Sequence, residues 1–321
     1  MDFYRLCNTT NKALEKLMPI LTPAALAAGF FFSKVFIVFA PFVVEFFALL
    51  TLSGALRLTV GDMARCLRHP FPILLFLLVC HVLIPLLAFG ASRLLFAANA
   101  AVIAGYVLLY ATPTAVSTTI WAQIYKGDMA LTLTIILLDV LLAPIVTPAT
   151  VALLVGAKVH LDMSHMAWEL VLMVVIPTLV GIFLNESSHG KIPDKIAPPL
   201  APLAKLSIFF LIAGNTAVAA PSIHLSDPLT LLVGILCLVL GIAAYLVAAP
   251  VARLAKLPSD KTVSLVMACG MRNISAGATI AIRFFPTQSA LPCLLGIVFQ
   301  QMLAAIVGKA VLKSRKPKIQ N

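Results

Sequence analysis

The chain has 321 residues, of which 61% are hydrophobic and only 11% charged, with a net charge of +11 and a mean hydropathy of +1.06. Soluble domains carry about 25% charged residues, so an ordinary soluble enzyme is excluded. The apolar content also excludes a disordered or nucleic-acid-binding chain despite the basic balance, and an all-α polytopic membrane protein remains.

A spanning helix takes about 20 mostly apolar residues. The apolar runs predict ten transmembrane helices, at 14–32, 35–58, 71–92, 100–124, 129–155, 166–184, 201–221, 228–252, 262–282 and 286–310. The first follows a polar stretch from Met1 to Lys16 and has no small-residue cleavage site, so it reads as a span and not as a signal peptide. With the connections alternating, eighteen Lys and Arg residues fall on the side of the two termini, among them Arg57, Lys191, Arg253 and Lys316. Four, Lys34, Arg93, Lys158 and Arg283, fall on the other, and Arg272 lies inside a span. Cytoplasmic loops collect Lys and Arg, so both termini are expected in the cytoplasm and the basic excess is a topology signal.

In chain order, span two carries Glu45 near its start, which suits an interfacial position, and span three carries His81. Span four is interrupted: the run Ala101 to Tyr110 meets Thr112-Pro113-Thr114-Ala115-Val116-Ser117-Thr118-Thr119. Proline removes a backbone donor and disfavours helix before itself. Span five carries Asp139 and, nearer its start, Thr132; span seven carries Asn215 and Thr216. Span nine is interrupted at Cys269-Gly270-Met271-Arg272-Asn273, about 156 residues after the first break, and span ten contains Phe299-Gln300-Gln301. The six cysteines show no metal-ligand spacing and read as free thiols.

The charge-bearing stretch Lys158 to Glu169 divides the chain into residues 1–160 and 161–321, five spans each. An odd number of spans per half puts the halves in opposite orientations, the inverted-repeat plan of many secondary transporters. Unwound backbone at membrane depth survives only when buried in protein or lining a wet cavity, so paired breaks at corresponding places point to a binding site. The plainer alternative is a proline kink and a glycine packing contact.

At these residues the chain resembles the bile acid:sodium symporter family. The resemblance runs from about residue 45 to 310, through Leu52-Ser53-Gly54-Ala55-Leu56-Arg57-Leu58 and His69-Pro70, Gly127-Asp128-Met129-Ala130-Leu131, Pro144-Ile145-Val146-Thr147-Pro148, and Gly270-Met271-Arg272-Asn273 before Ser275-Ala276-Gly277. It implies a core domain of spans three to five and eight to ten, with broken spans four and nine crossing, and a panel domain of spans one, two, six and seven. It also implies transport of a small organic anion such as a bile salt, a pantoate-like acid or a keto acid, usually with sodium, and a bacterial inner-membrane location. The sequence departs from the family where sodium would bind: Ala268 replaces an acidic residue, Arg272 a glutamine, and Thr118-Thr119 a Ser-Asn pair. Sodium favours hard oxygen ligands, and a guanidinium competes with a cation.

Intramembrane charges usually face an interior and find partners. Arg272 is expected either to pair with Asp139 or to meet the substrate carboxylate, for which its planar fork suits. Asp139 and His81 are candidate proton carriers, with a core histidine bonded to a carbonyl as the alternative for His81. Candidate substrate contacts are Arg272, Asn273, Thr114, Ser117, Gln300, Gln301 and Asn215, and candidate sodium ligands are Thr118, Thr119 and Thr132; these hydroxyls alternatively bond back to helix carbonyls. No cofactor is expected beyond a coupling Na+ or H+, and no partner beyond the solute and lipid. An intramembrane enzyme lacks its motifs here, having no His-Glu-x-x-His and no second deep aspartate. A channel would show polar stripes or charge rings, and a receptor an output domain.

Overall fold

The computed structural model describes residues 3–56, 58–156, 162–223 and 226–312. Arg57, Lys158 and the basic residues from Lys313 onward, which carry part of the charge bias, lie outside them, as does the side chain of Gln301. The described chain is helical: α1 (Phe3–Phe31), α2 (Ser33–Ala55), α3 (Val60–Leu67), α4 (Phe71–Leu95), α5 (Ala100–Ala111), α6 (Thr118–Ile124), α7 (Met129–Val155), α8 (Ser164–Ser188), α9 (Lys191–Ala219), α10 (Pro228–Leu254), α11 (Ser259–Gly270), α12 (Ile274–Phe284) and α13 (Ala290–Leu312). Among the described residues six helices, α2, α4, α7, α8, α9 and α10, are long and apolar enough to cross a membrane. The expected first span corrects to a helix that starts eleven residues earlier, because its polar opening turns continue the apolar helix and helix formation needs no apolar side chains.

Two of the expected spans exist only as halves. α5 and α6 flank an extended stretch at Thr112, and α11 and α12 flank Met271 to Asn273, where Met271 has φ −114° and ψ 97°. Proline at 113 accounts for the first break by withholding its amide. At the second, Gly270 packs where an added Cβ would lie 2.2 Å from the Tyr245 ring, so only glycine permits this approach of α11 to α10.

α1 and α2 pack along α9, with α8 along α2. A second group joins α4, α5, α7, α10, α11, α12 and α13. Within it α5 is buried from Val102 to Ala111, as expected of a helix apolar on every side, and α11 is buried from Thr262 to Cys269. The broken helices therefore lie in the middle of the molecule. π turns at Val79–Leu83 in α4 and Val171–Val175 in α8 each add a residue to the regular helix, a local irregularity often found at functional sites.

Candidate functional site

The two interrupted stretches meet. Thr114 and Arg272 form an isolated antiparallel bridge, Ala115 N donates to Met271 O at 3.0 Å, and Asn273 N donates to Pro113 O at 2.7 Å. Backbone groups freed by the breaks are thus paired with one another, as buried groups without water must be. Carbonyls at the end of α5 find side chains: Leu109 O accepts from Thr112 Oγ1 at 3.2 Å, Ala111 O from Thr147 Oγ1 at 2.8 Å, and Thr112 O from an Arg272 guanidinium N–H.

Charge gathers at this bridge. Asp139, fully buried on α7, receives both the backbone N–H and the hydroxyl of Thr114 at Oδ2, each at 2.7 Å. Its Oδ1 lies 2.7 Å from His81 Nε2, and Oδ2 lies 3.5 Å from the Arg272 guanidinium. Arg272 is 1% exposed. Beyond Asp139 it donates to Cys80 Sγ and approaches Thr114 Oγ1 at 3.4 Å, and its backbone N–H donates to Gln300 Oε1 at 3.1 Å. Its Nε and His81 Nδ1 are buried without a hydrogen-bond partner. The Cys269 thiol contacts that of Cys80, so helices α4, α7 and α11 all reach the centre. One positive and one negative charge, removed from water together, are tolerable only because nearly every lone pair and proton is matched.

Of the residues anticipated from sequence, the structure brings together Thr114, Asp139, His81, Arg272 and Gln300. Asn273 starts α12 half-buried and makes no capping bond with its amide. Ser117 is half-buried at the start of α6 and makes no capping bond either. Asn215 bonds Thr279 Oγ1 at 2.9 Å, tying α9 to α12. Among the hydroxyls proposed for sodium, Thr119 bonds back to Val116 O and Thr132 lies 2.8 Å from Asp128 O and 2.9 Å from Ser264 Oγ, while the buried Thr118 hydroxyl has no partner. Glu45 is exposed in the first turn of the segment Val43–Ala55, twelve residues into α2 and not at its start, and Cys80, Cys237, Cys269 and Cys293 are buried free thiols.

Three features of the site escaped the sequence reading. Thr112 and Thr147 serve the broken backbone, and nothing in composition separates them from other membrane threonines. An ion pair joins Arg283 at the end of α12 to Glu169 in α8, with His165 Nε2 3.8 Å from the same carboxylate. Opposite charges near the same predicted membrane face were the available signal. A void of about 20 Å³, room for about one water, lies beside Arg272, Tyr110 and Gln300. A larger cavity of about 180 Å³ opens among Cys66, His69, Asp128 and Lys261, where α4, α7 and α11 begin.

A polytopic helical bundle whose two broken helices meet around a buried charge pair is the build of a membrane transporter. A model of the Sodium Bile acid symporter family matches residues 44–226, and the chain belongs to that family, whose members are secondary transporters and not enzymes. It is 36% identical over 291 residues to the uncharacterized protein YbaS of Bacillus subtilis (strain 168), covering 91% of this chain and 95% of that one. It is 25% identical to the uncharacterized sodium-dependent transporter YocS of the same organism, over 89% of each chain. It also matches the probable sodium/metabolite cotransporter BASS3, chloroplastic, of Oryza sativa subsp. japonica, 25% identical over 77% of this chain and 58% of that protein.

Proposed function

We propose that this chain carries a small organic anion, a carboxylate of the bile-salt, pantoate or keto-acid class, by alternating access. The meeting of the two broken stretches at the Thr114 and Arg272 bridge is the observation that carries this reading. Half-helices end there in pairs, and the N-termini of α6 and α12 bring partial positive charge that suits a carboxylate. Asn273, Ser117 and Gln300 stand close by in sequence or in space as neutral polar contacts.

In this reading the chain crosses the membrane ten times as two inverted five-span repeats with both termini cytoplasmic, in a bacterial inner membrane. The group α1, α2, α8 and α9 serves as a panel, and the group around α5 and α11 as a core. Substrate pockets usually enclose about 300–1,000 Å³, and the void beside Arg272 holds about 20 Å³, so in this form the substrate path at the bridge is shut. Rocking of core against panel would open it to one side and then the other. The Glu169–Arg283 pair joins α8 of the panel to α12 of the core and suits a contact made in one of the two positions.

Arg272 supplies, in this reading, the positive charge that sodium supplies elsewhere. Its guanidinium is already held by Asp139, Cys80 and Thr112, which suits a fixed internal cation better than a group that exchanges with substrate each cycle. Proteoliposomes loaded with purified protein test the carrier: labelled glycocholate, pantoate and pyruvate are offered under ion gradients, and at least one is expected to accumulate uphill. Flux that only equilibrates would instead mark a channel. Arg272→Gln, assayed at graded sodium, is expected to alter the ion dependence, and unchanged transport would remove the substitute-cation role.

A further inference from the structure

His81 is tied to the centre from one side only. Its Nε2 meets Asp139 Oδ1 at 2.7 Å, its side chain is 9% exposed, and its Nδ1 is buried with no partner. Buried polar atoms are nearly always bonded, so an idle ring nitrogen asks for an occupant. The Phe76 ring stands edge-on to it at 5.9 Å. The charged and titratable groups around it are Asp139 from α7, Arg272 from the break, Cys80 from its own π turn and Cys269 from α11. On α5 and α10, Tyr106 and Cys237 are occupied with Val233 O and Pro292 O, and Tyr245 lies against Gly270. With the imidazole neutral, Arg272 and Asp139 cancel and the cluster is uncharged.

We propose that His81 binds the coupling ion and that this ion is a proton, moved in symport with the anion; this rests on the carrier reading above. With the Nε2 proton donated to Asp139, the free lone pair of Nδ1 takes a proton from whichever aqueous side the centre faces. The cluster then carries one net positive charge, as a bound sodium ion would give it, and a monocarboxylate brings the loaded centre back to neutral. After the carrier reorients, the same proton leaves Nδ1 for water on the far side and the anion follows. Ionisable chains inside membranes commonly serve proton relays. Arg272 cannot take the part because a guanidinium keeps its proton.

The binding step is read without any substrate. Full-length protein labelled with ¹³C,¹⁵N-histidine is titrated by NMR in sodium-free micelles, the His81 signals being those lost in both His81→Gln and His81→Asn. They are expected to shift as Nδ1 gains its proton on acidification, and signals that stay constant would overturn the proposal. In sodium-free proteoliposomes, acid outside is expected to accumulate labelled glycocholate about tenfold per pH unit, the ratio set by one proton per monovalent anion. His81→Gln, whose amide can still donate to Asp139, is expected to exchange glycocholate across the membrane without accumulating it; accumulation equal to the unaltered protein would also overturn the proposal. Uptake driven by sodium and indifferent to pH would sink the proton and leave the carrier standing. A titrating His81 in a protein that moves none of the offered anions under any gradient would do the reverse.

Discussion

Asp139→Asn is the sharpest test of the buried charge pair. Asp139 holds three hydrogen bonds, from the Thr114 N–H and O–H and with His81, faces the Arg272 guanidinium at 3.5 Å, and is fully buried. Asparagine keeps the shape but has one acceptor oxygen, so its NH₂ must face donors on one side, and Arg272 is left as a buried cation without a counter-charge. Removing one partner of such a pair costs about 3–5 kcal/mol. At about 2 °C per kcal/mol for a chain of this length, that is a loss of roughly 6–10 °C in Tm, measured by thermal unfolding of the detergent-solubilised protein. Adding Arg272→Gln removes the stranded charge, so the double variant is expected to melt above the Asp139→Asn single. A single variant as stable as the unaltered protein, or a double variant that loses the sum of both singles, would refute the reasoning.

Gly270→Ala would set a methyl 2.2–2.5 Å from three Tyr245 ring atoms, an overpacking worth about 1–3 kcal/mol, and Tyr245→Ala in the same chain is expected to relieve part of it; unfolding of the three variants checks this. Tyr106→Phe deletes a 2.6 Å bond to Val233 O in a fully buried place and is expected to cost about 1 kcal/mol in the same assay. A water-soluble maleimide is expected to modify only Cys7 and Cys66 in the folded protein and all six cysteines after denaturation, as read by mass spectrometry.

The breaks were legible because a proline and a glycine stand at matching places in the two halves. Pro113 lies in the first break and Gly270 ends the helix before the second, and their separation matches the half-length of the chain; Pro144, Pro148 and Pro250 lie inside continuous helices, so it is the pairing and not the residue type that marks the breaks. Arg272, Asp139 and His81 were legible as charges in need of partners, since an apolar run makes any ionisable side chain conspicuous. Their arrangement was only half legible. Sequence reading left Arg272 between Asp139 and the substrate, and the approach to Asp139 emerges only when residues 133 positions apart are folded together. The Cys80 and Thr112 contacts were hidden because neither residue type signals a cation partner. The partner of Asn215 was hidden too: its polarity in span seven suggested the substrate path, and nothing in sequence announced its bond to Thr279, 64 positions away.

The π turn in α4 has a bearing on how the polar centre could be dismantled. Such a turn holds one residue more than the flanking helix requires. Excising a single amino acid between Val79 and Leu83 would let ordinary helix close up with the two arms of α4 still in phase, and only the side chains within that turn would be re-aimed. The imidazole, which stands inside that turn, would then point elsewhere while the flanks kept their packing. The histidine's aim therefore depends less on its own identity than on a spare peptide unit, and a one-codon deletion there would be felt more keenly than most exchanges of one side chain for another.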